Sequence, residues 1–230
     1  MITSRKIYAT MKRLVIFDLD GTLVDTIDDL AASANHALAG CGYPQHDPLA
    51  YRAFVGNGVL KLIERALPTE ARNEAEIQRV RDCMVAHYDR HDTERSRPYP
   101  GVHELLRELV RCGVMVAVAS NKYNRATRRI VAHFFPDIPF VAVFGQRKNV
   151  KIKPDPMVVR HVLKVPAVKA VGIGADETLM VGDSAVDIET ARAAGIGVVA
   201  VSWGFSLRGD LEQASPNHIV DRAEELLKFL

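Results

Sequence analysis

The stretch that most constrains the fold is Leu14-Val15-Ile16-Phe17-Asp18-Leu19-Asp20-Gly21-Thr22-Leu23-Val24. It opens as an uninterrupted apolar run of strand length and breaks at Asp18. A second carboxylate, Asp20, follows two residues on, and Gly21-Thr22 supplies a turn. A continuous apolar run is the mark of a strand buried on both faces, as in a parallel sheet. In open α/β sheets, ligands bind beyond the carboxyl ends of the strands. Strand side chains repeat with period two, so Asp18 and Asp20 are expected on one side of the chain at the mouth of a cleft. Carboxylates this close repel unless a positive group stands near them, and hard Mg²⁺ suits carboxylate oxygens. A plain polar turn is the simplest competing reading. A Ca²⁺ loop is another, but it needs a glutamate at its twelfth position, and counting from Asp18 that residue is Leu30.

Beyond Asp20 the pattern turns helical. Ile27, Leu30, Ala31, Ala34 and Leu38 share one helical face, with Gly40 and Gly42 as stop signals. Asn57 is a cap candidate for a second helix in which Leu60, Ile63 and Leu67 share a face before Pro68. A third helix is expected over 73–91, with Ile77, Val80, Met84 and His87 inward. No strand is expected between Asp25 and about Arg97, so a helical block interrupts the sheet. Arg95-Ser96-Arg97-Pro98-Tyr99-Pro100-Gly101 marks its return. Strands and helices then alternate. Helices are expected over 102–112, 124–135, 155–163, 186–194 and 222–230. Strands are expected over 114–119, 140–144, 178–181, 197–201 and, at an edge, 219–220. Such alternation implies a parallel sheet with right-handed crossovers. The division expected is an α/β unit formed by residues 1–24 and 98–230, with an inserted helical unit, 25–97.

Composition excludes several classes. The 230 residues leave room for one domain and a sizeable insertion. A net charge of +2, with both signs interspersed, gives no electrostatic case for nucleic acid. No stretch reaches transmembrane length, so no membrane partner is expected. Cys41, Cys83 and Cys112 form no close pair and no metal spacing. Three unpaired thiols in a reducing, cytoplasmic setting are expected. Residues 1–12 lack the apolar segment of a secretory signal and read as a short disordered leader, with Met11 a second candidate start. Gly172-Ile173-Gly174 precedes a strand instead of following one, and so fails as a dinucleotide fingerprint. His87 and His91 stand four apart but have no evident third metal ligand. Monomer and homodimer are equally compatible with the sequence.

Four polar clusters fall at strand ends: Asp18 with Asp20, Ser120-Asn121-Lys122, Lys153-Pro154, and Gly182-Asp183-Ser184 with Asp187 beyond. In a parallel sheet these ends share one edge, so the clusters should converge. The constellation resembles the haloacid dehalogenase superfamily of phosphohydrolases. Its four motifs stand here as Asp18-Leu19-Asp20-Gly21-Thr22, Ser120-Asn121, Lys153-Pro154 and Gly182-Asp183-Ser184-Ala185-Val186-Asp187, in order and over nearly the whole chain. The resemblance implies a Rossmann-like core, with the helical block as an α-helical cap. It implies Asp18 as nucleophile and Asp20 as general acid and base. Mg²⁺ would lie between the Asp18 carboxylate, the Asp20 carbonyl and Asp183. Asp187, Ser184 and Thr22 would support this shell. Ser120 and the Asn121 amide would hold phosphoryl oxygens, and Lys153 would offset charge. From the residues alone, Ser120 is also a helix-cap candidate, Asp187 a first-turn acid, and Lys151 an alternative to Lys153.

The segment Phe54-Val55-Gly56-Asn57-Gly58-Val59 looks like the cap loop of phosphoglycolate phosphatases, in which a Gly-x-Gly turn points at the active site. Gly56, Asn57 and Gly58 are therefore specificity candidates, with Lys61 and Arg65 as cations for a substrate carboxylate. The expected substrate is a small phosphomonoester, 2-phosphoglycolate first. Alternatives with the same core are a pyrophosphatase, a nucleotidase, or a sugar-phosphate phosphatase or mutase. A receiver-type switch that keeps its aspartyl-phosphate is the non-enzymatic alternative. Asp20 and the helical insertion argue against it.

Overall fold

The structure, a computed structural model, describes residues 11–230; the first ten positions of the expected leader lie outside the described residues. From β1 (Leu14–Phe17) the chain passes through β2 (Val24–Asp25) into helices α1 (Ile27–Gly40), α2 (Tyr51–Phe54), α3 (Val59–Ala66) and α4 (Glu74–His91), and returns through β3 (Arg97–Pro98). It then alternates through α5 (Val102–Arg111), β4 (Met115–Tyr123), α6 (Asn124–Phe134), β5 (Ala142–Gln146), α7 (Met157–Leu163) and α8 (Pro166–Ala170). There follow β6 (Thr178–Gly182), α9 (Ala185–Ala194), β7 (Gly197–Val201), α10 (Arg208–Ala214), β8 (His218–Val220) and a closing 3-10 segment, Ala223–Phe229.

Period two decides how β1 is used. Val15 and Phe17 face one apolar cluster, and Leu14 and Ile16 face the other. Helices cover both faces. Leu105, Leu106 and Ile130 from α5 and α6 fill the first, while Val159, Ile188 and Leu211 from α7, α9 and α10 fill the second. Each such side chain contributes roughly 2 kcal/mol of burial. The six strands run in the order β5-β4-β1-β6-β7-β8, and every pair is parallel. The α/β class with a parallel sheet is thus the one the sequence implied. β1 lies between β4 and β6, with Phe17 in register with Val118 and Val181. The residues just beyond these three positions are the polar clusters.

Several local features differ from the sequence reading. β2 and β3 form an antiparallel pair, Val24 with Pro98 and Asp25 with Arg97. At two residues each, neither is long enough to show a period. The helices α2, α8 and α10 are also too short to carry one. Asn57 does not cap α3: Gly58 holds that position at φ 83°, and the Asn57 side chain instead accepts from Arg65, at 2.7 Å. On α4 the inward face continues from Val80 and Met84 to Tyr88, not His87. His87 stays half-buried on Ser33, 2.9 Å away, its ring stacked on His91 and tilted against His36. The sulfurs of Cys41 and Cys83, 42 residues apart in the chain, lie 3.9 Å apart as free thiols where α1 meets α4.

The two ends of the helical segment are tied together by one buried acid. Asp29 in the first turn of α1 accepts from the backbone amides of Arg95 and Ser96 and from the Ser96 hydroxyl, at 3.0, 2.8 and 2.7 Å. This fixes the start of α1 to the return strand across 66 residues. Replacing Asp29 with Ala strands three donors, each costing about 1–3 kcal/mol when buried without a partner. Asp29→Ala is expected to lower unfolding free energy by about 3 kcal/mol, read as the shift in urea midpoint. A change below about 0.5 kcal/mol would show that the contact is not a structural tie.

Candidate active site

The ends of β1, β4 and β6 open on a cleft. Asp18, Asp20, Ser120, Asn121, Lys122, Asp183 and Ser184 line it from the sheet side. Arg52, Gly56, Gly58, Leu62, Met84 and Tyr88 line it from α2, the following loop, α3 and α4. Asp18 and Asp183, 165 positions apart in the sequence, therefore meet because parallel strands end on one edge.

Lys153 sits among three carboxylates. Its Nζ lies 2.9 Å from Asp18 Oδ1 and 2.7 Å from Asp187 Oδ1, and its side chain is only 2% exposed. Burial works against its charge, but Asp18 and Asp187 outweigh that and raise its pKa. Lys151 instead pairs with Asp155 in solvent. Asp18 Oδ1 also accepts from the Leu19 amide at 2.7 Å, so its bonds among the described residues all fall on one oxygen and Oδ2 is left unbonded. Asp187 is fully committed: Oδ1 takes Lys153, and Oδ2 takes both the amide and the hydroxyl of Ser184 in a capping box that starts α9.

Asp183 is held by Thr22 Oγ1 at 3.3 Å and the Phe205 amide at 2.7 Å. Two glycines leave room for it. A Cβ on Gly21 would lie 2.3 Å from its Oδ2, and one on Gly204 would lie 2.3 Å from its Cβ. Asp18, Asp183 and Asp187 offer carboxylate oxygens all within 4.8 Å of one another, a donor set that fits a hard divalent cation. Burial pushes Asp18 up to about 7, against the pull of Lys153 and with help from Asp187. Burial, then Asp187 and Asp18, raises Asp183 well above the ordinary carboxylate range. Both shifts come first from burial and then from the crowding of like charges, and a positive ion among these acids would oppose them.

Asp20 has separate partners. Its Oδ1 accepts from Thr26 Oγ1 at 2.7 Å and from Lys122 Nζ at 3.0 Å. β4 runs on to Tyr123, past the end expected at Ala119, and its pairing with β5 shifts between Ala119 and Tyr123. The polar residues 120–122 are consequently buried inside the strand end. Ser120 Oγ accepts from the Lys122 amide at 3.2 Å and does not cap α6. The Asn121 side chain clamps the Lys153 backbone in both directions, at 2.8 and 3.0 Å, and also donates to the Gly56 carbonyl at 3.0 Å.

The two cations expected in the helical segment do not reach the cleft. Lys61 is exposed and pairs with Glu64 on its own helix. The Arg65 guanidinium turns onto the carbonyl of Phe54 and the Asn57 side chain, bracing the loop. Arg52 lines the cleft instead. It lies on a four-residue helix that no period reveals. The sequence points to none of Thr26, Gly204, Phe205 and Tyr88, and it places Lys122 in a strand-end cluster without a role. Gly204 and Phe205 carry no local signal.

The sequence model described as "Haloacid dehalogenase-like hydrolase" matches residues 15–201. A protein of Mesorhizobium japonicum named phosphoglycolate phosphatase is 37% identical over 215 residues, covering 93% of this chain and 92% of that protein. A phosphoglycolate phosphatase of Haemophilus influenzae is 33% identical, covering 96% and 99%. A crystal structure from Lactobacillus delbrueckii subsp. bulgaricus superposes with a TM-score of 0.85 at 30% identity, covering 94% of this chain and 97% of that one.

The raised acids give a pH prediction. Between about pH 4, the ordinary carboxylate range, and about 7 for Asp18, the folded protein keeps protons that the unfolded chain has released. Folded stability without a cation therefore falls as pH rises through that window. A divalent cation in the cluster offsets this loss. The gap in Tm between protein with Mg²⁺ and protein with chelator is expected to widen from about pH 4.5 to about 7.5, read by thermal denaturation. A gap independent of pH would remove the cluster as the cation site.

Proposed function

The chain belongs to the haloacid dehalogenase-like hydrolases, and on that footing we propose that it is a phosphoric monoester hydrolase of small phosphorylated metabolites, 2-phosphoglycolate first. One arrangement carries the proposal. Asp18 and Asp20 face a single cleft with different partners, Asp18 against Lys153 and Asp20 against Lys122 and Thr26. Two carboxylates in unlike surroundings suit a reaction in which one attacks and the other carries a proton.

In this reading Asp18 attacks phosphorus in line with the leaving oxygen, and a new P–O bond forms as the ester P–O bond breaks. Asp20 gives its proton to the leaving alkoxide. It then takes one from the water that cleaves the aspartyl-phosphate, so both acids return to their starting state with alcohol and phosphate released. Lys153 offsets charge on Asp18 and the phosphoryl group. The Ser120 hydroxyl and the Asn121 amide hold phosphoryl oxygens. Asp18, Asp183 and the Asp20 carbonyl would hold Mg²⁺, which supplies further neutralisation of phosphoryl charge. Thr22 steadies Asp183; Ser184 steadies Asp187 and, through it, Lys153.

Residues 25–97 act as a cap over the core of 1–24 and 98–230, joined through β2 and β3. Their cleft-facing wall keeps bulk water from the reacting centre and limits the leaving group to small molecules. Arg52, exposed at the cleft and without an ion-pair partner among the described residues, takes the carboxylate role first expected of Lys61 and Arg65. Free thiols fit a reducing compartment, the cytoplasm. No helix among the described residues is long and apolar enough to cross a membrane.

Phosphate release is expected to require Mg²⁺, to stop with chelator, and to be strongest on 2-phosphoglycolate among pyrophosphate, sugar phosphates, nucleotides and an aryl phosphate. Another favoured substrate would replace the glycolate assignment. Asp18→Asn is expected to lower kcat by at least about 10³-fold with the fold intact; near wild-type release by that variant would overturn the mechanism. Arg52→Ala is expected to raise KM for 2-phosphoglycolate about tenfold with kcat little changed. An unchanged KM would exclude Arg52 as the carboxylate partner.

A further inference from the structure

Among the described residues, a single buried side-chain polar atom lacks a hydrogen-bond partner: the hydroxyl of Tyr88. Tyr88 is 1% exposed, on the inward face of α4. A buried hydroxyl without a partner costs folding free energy, whereas phenylalanine would fill the same space without that cost. Such a group calls for an explanation, and its location supplies one.

Tyr88 lines the cleft that holds Asp18 and Asp20. The Lys122 ammonium lies over its ring, 4.5 Å from the centroid, and the same ammonium is 3.0 Å from Asp20. Tyr88 therefore belongs to the Asp20 side of the cleft. Of the groups assigned to the phosphoryl end, Lys153 pairs with Asp18, and the Asn121 side chain holds the Lys153 backbone. Asp20 is the residue that protonates the leaving oxygen, so the alcohol half of the substrate lies on Tyr88's side. The apolar part of the cleft lining, Leu30, Leu62, Met84 and Val85, offers no strong side-chain acceptor. Burial, and then Asp20, keep the phenol protonated and hence a donor.

We propose that the Tyr88 hydroxyl is a specificity-determining donor that hydrogen-bonds a carboxylate oxygen of the leaving group in a small hydroxy-acid phosphate. This rests on the phosphatase reading and adds a selection step to it. A site built to bond a polar group strongly rejects the analogue that lacks it, because its own donor is then left unpaired. Arg52 at the rim meets the charge of the carboxylate, and Tyr88 in the interior tests its position. The ring has a second duty, supporting Lys122 against Asp20. Replacing only the hydroxyl separates the two.

The test compares 2-phosphoglycolate with ethyl phosphate, which keeps the two-carbon ester and lacks the carboxylate. In Tyr88→Phe, the ratio of kcat/KM for 2-phosphoglycolate over ethyl phosphate is expected to fall at least about tenfold. Its Tm is expected to equal or exceed that of the wild type, because no hydrogen bond within the fold is lost. Tyr88→Leu, which also removes the ring, is expected to lower kcat/KM for both substrates. An unchanged ratio in Tyr88→Phe overturns the proposal. So does a lowered Tm with an unchanged ratio, which would mark the hydroxyl as structural. Binding of glycolate, followed by NMR titration, gives a readout that needs no turnover: about tenfold weaker binding to Tyr88→Phe supports the assignment, and equal affinity overturns it. Wild-type protein that releases phosphate from neither ester while still binding glycolate through Tyr88 would refute the phosphatase reading alone.

Discussion

A buried ammonium with too many acids around it governs this molecule. Lys153 touches Asp18 and Asp187, and Asp183 stands close enough to share a cation with both. Three carboxylates against one lysine leave a deficit of positive charge in a place that water hardly reaches. Burial first, and then the neighbouring acids, push Asp18 up to about 7 and raise Asp183 as well. A buried ion pair of this kind is weak support for stability, since desolvation consumes most of what attraction returns. It is retained where charge is to be used. The fold holds the deficit with short, committed contacts: the Asn121 side chain fixes the backbone of Lys153, and the capping box of α9 fixes Asp187.

The second acid pair is set apart from the first. Asp20 stands two residues from Asp18 but takes its bonds from Thr26 and Lys122, whereas Asp18 pairs with Lys153. Neighbours in sequence thus enter different electrostatic surroundings. Lys122 in turn rests on the ring of Tyr88, which comes from the helical segment. The helical segment therefore takes part in the polarity of the site as well as in its enclosure. Its two ends are held together by Asp29 and by the short β2–β3 pair where it joins the rest of the chain, and the cleft has one wall from each part of the chain.

Much of this was legible in the sequence because it follows from repeating patterns. The apolar run of β1, the alternation after residue 101 and the polar residues at strand ends all have a period or a position that local reading detects. Asp18, Asp20, Asp183, Asp187 and Lys153 were found for that reason. Arg52, Tyr88 and Gly204 were not. Arg52 lies on a helix of four residues, and Gly204 matters only because Asp183, far away in the chain, presses against it. Tyr88 displaced His87 from the inward face, since Val80, Met84 and Tyr88 keep the helical period more closely. Lys61 and Arg65 had the right chemistry at a suggestive place, but the turn of α3 sends one to solvent and the other onto its own loop.

The sequence by itself determined the class of fold, the order of the strands' polar ends and the acids that meet there. Those features depend on local periodicity and on the rule that parallel strands end on one edge. Tertiary structure decided which cation belongs to which acid, which helix faces the cleft, and that one tyrosine hydroxyl is buried without a partner. The reason is physical. Pairing, burial and clearance are properties of atoms brought together from distant positions, and no local pattern records how far apart two such atoms will lie once the chain has closed.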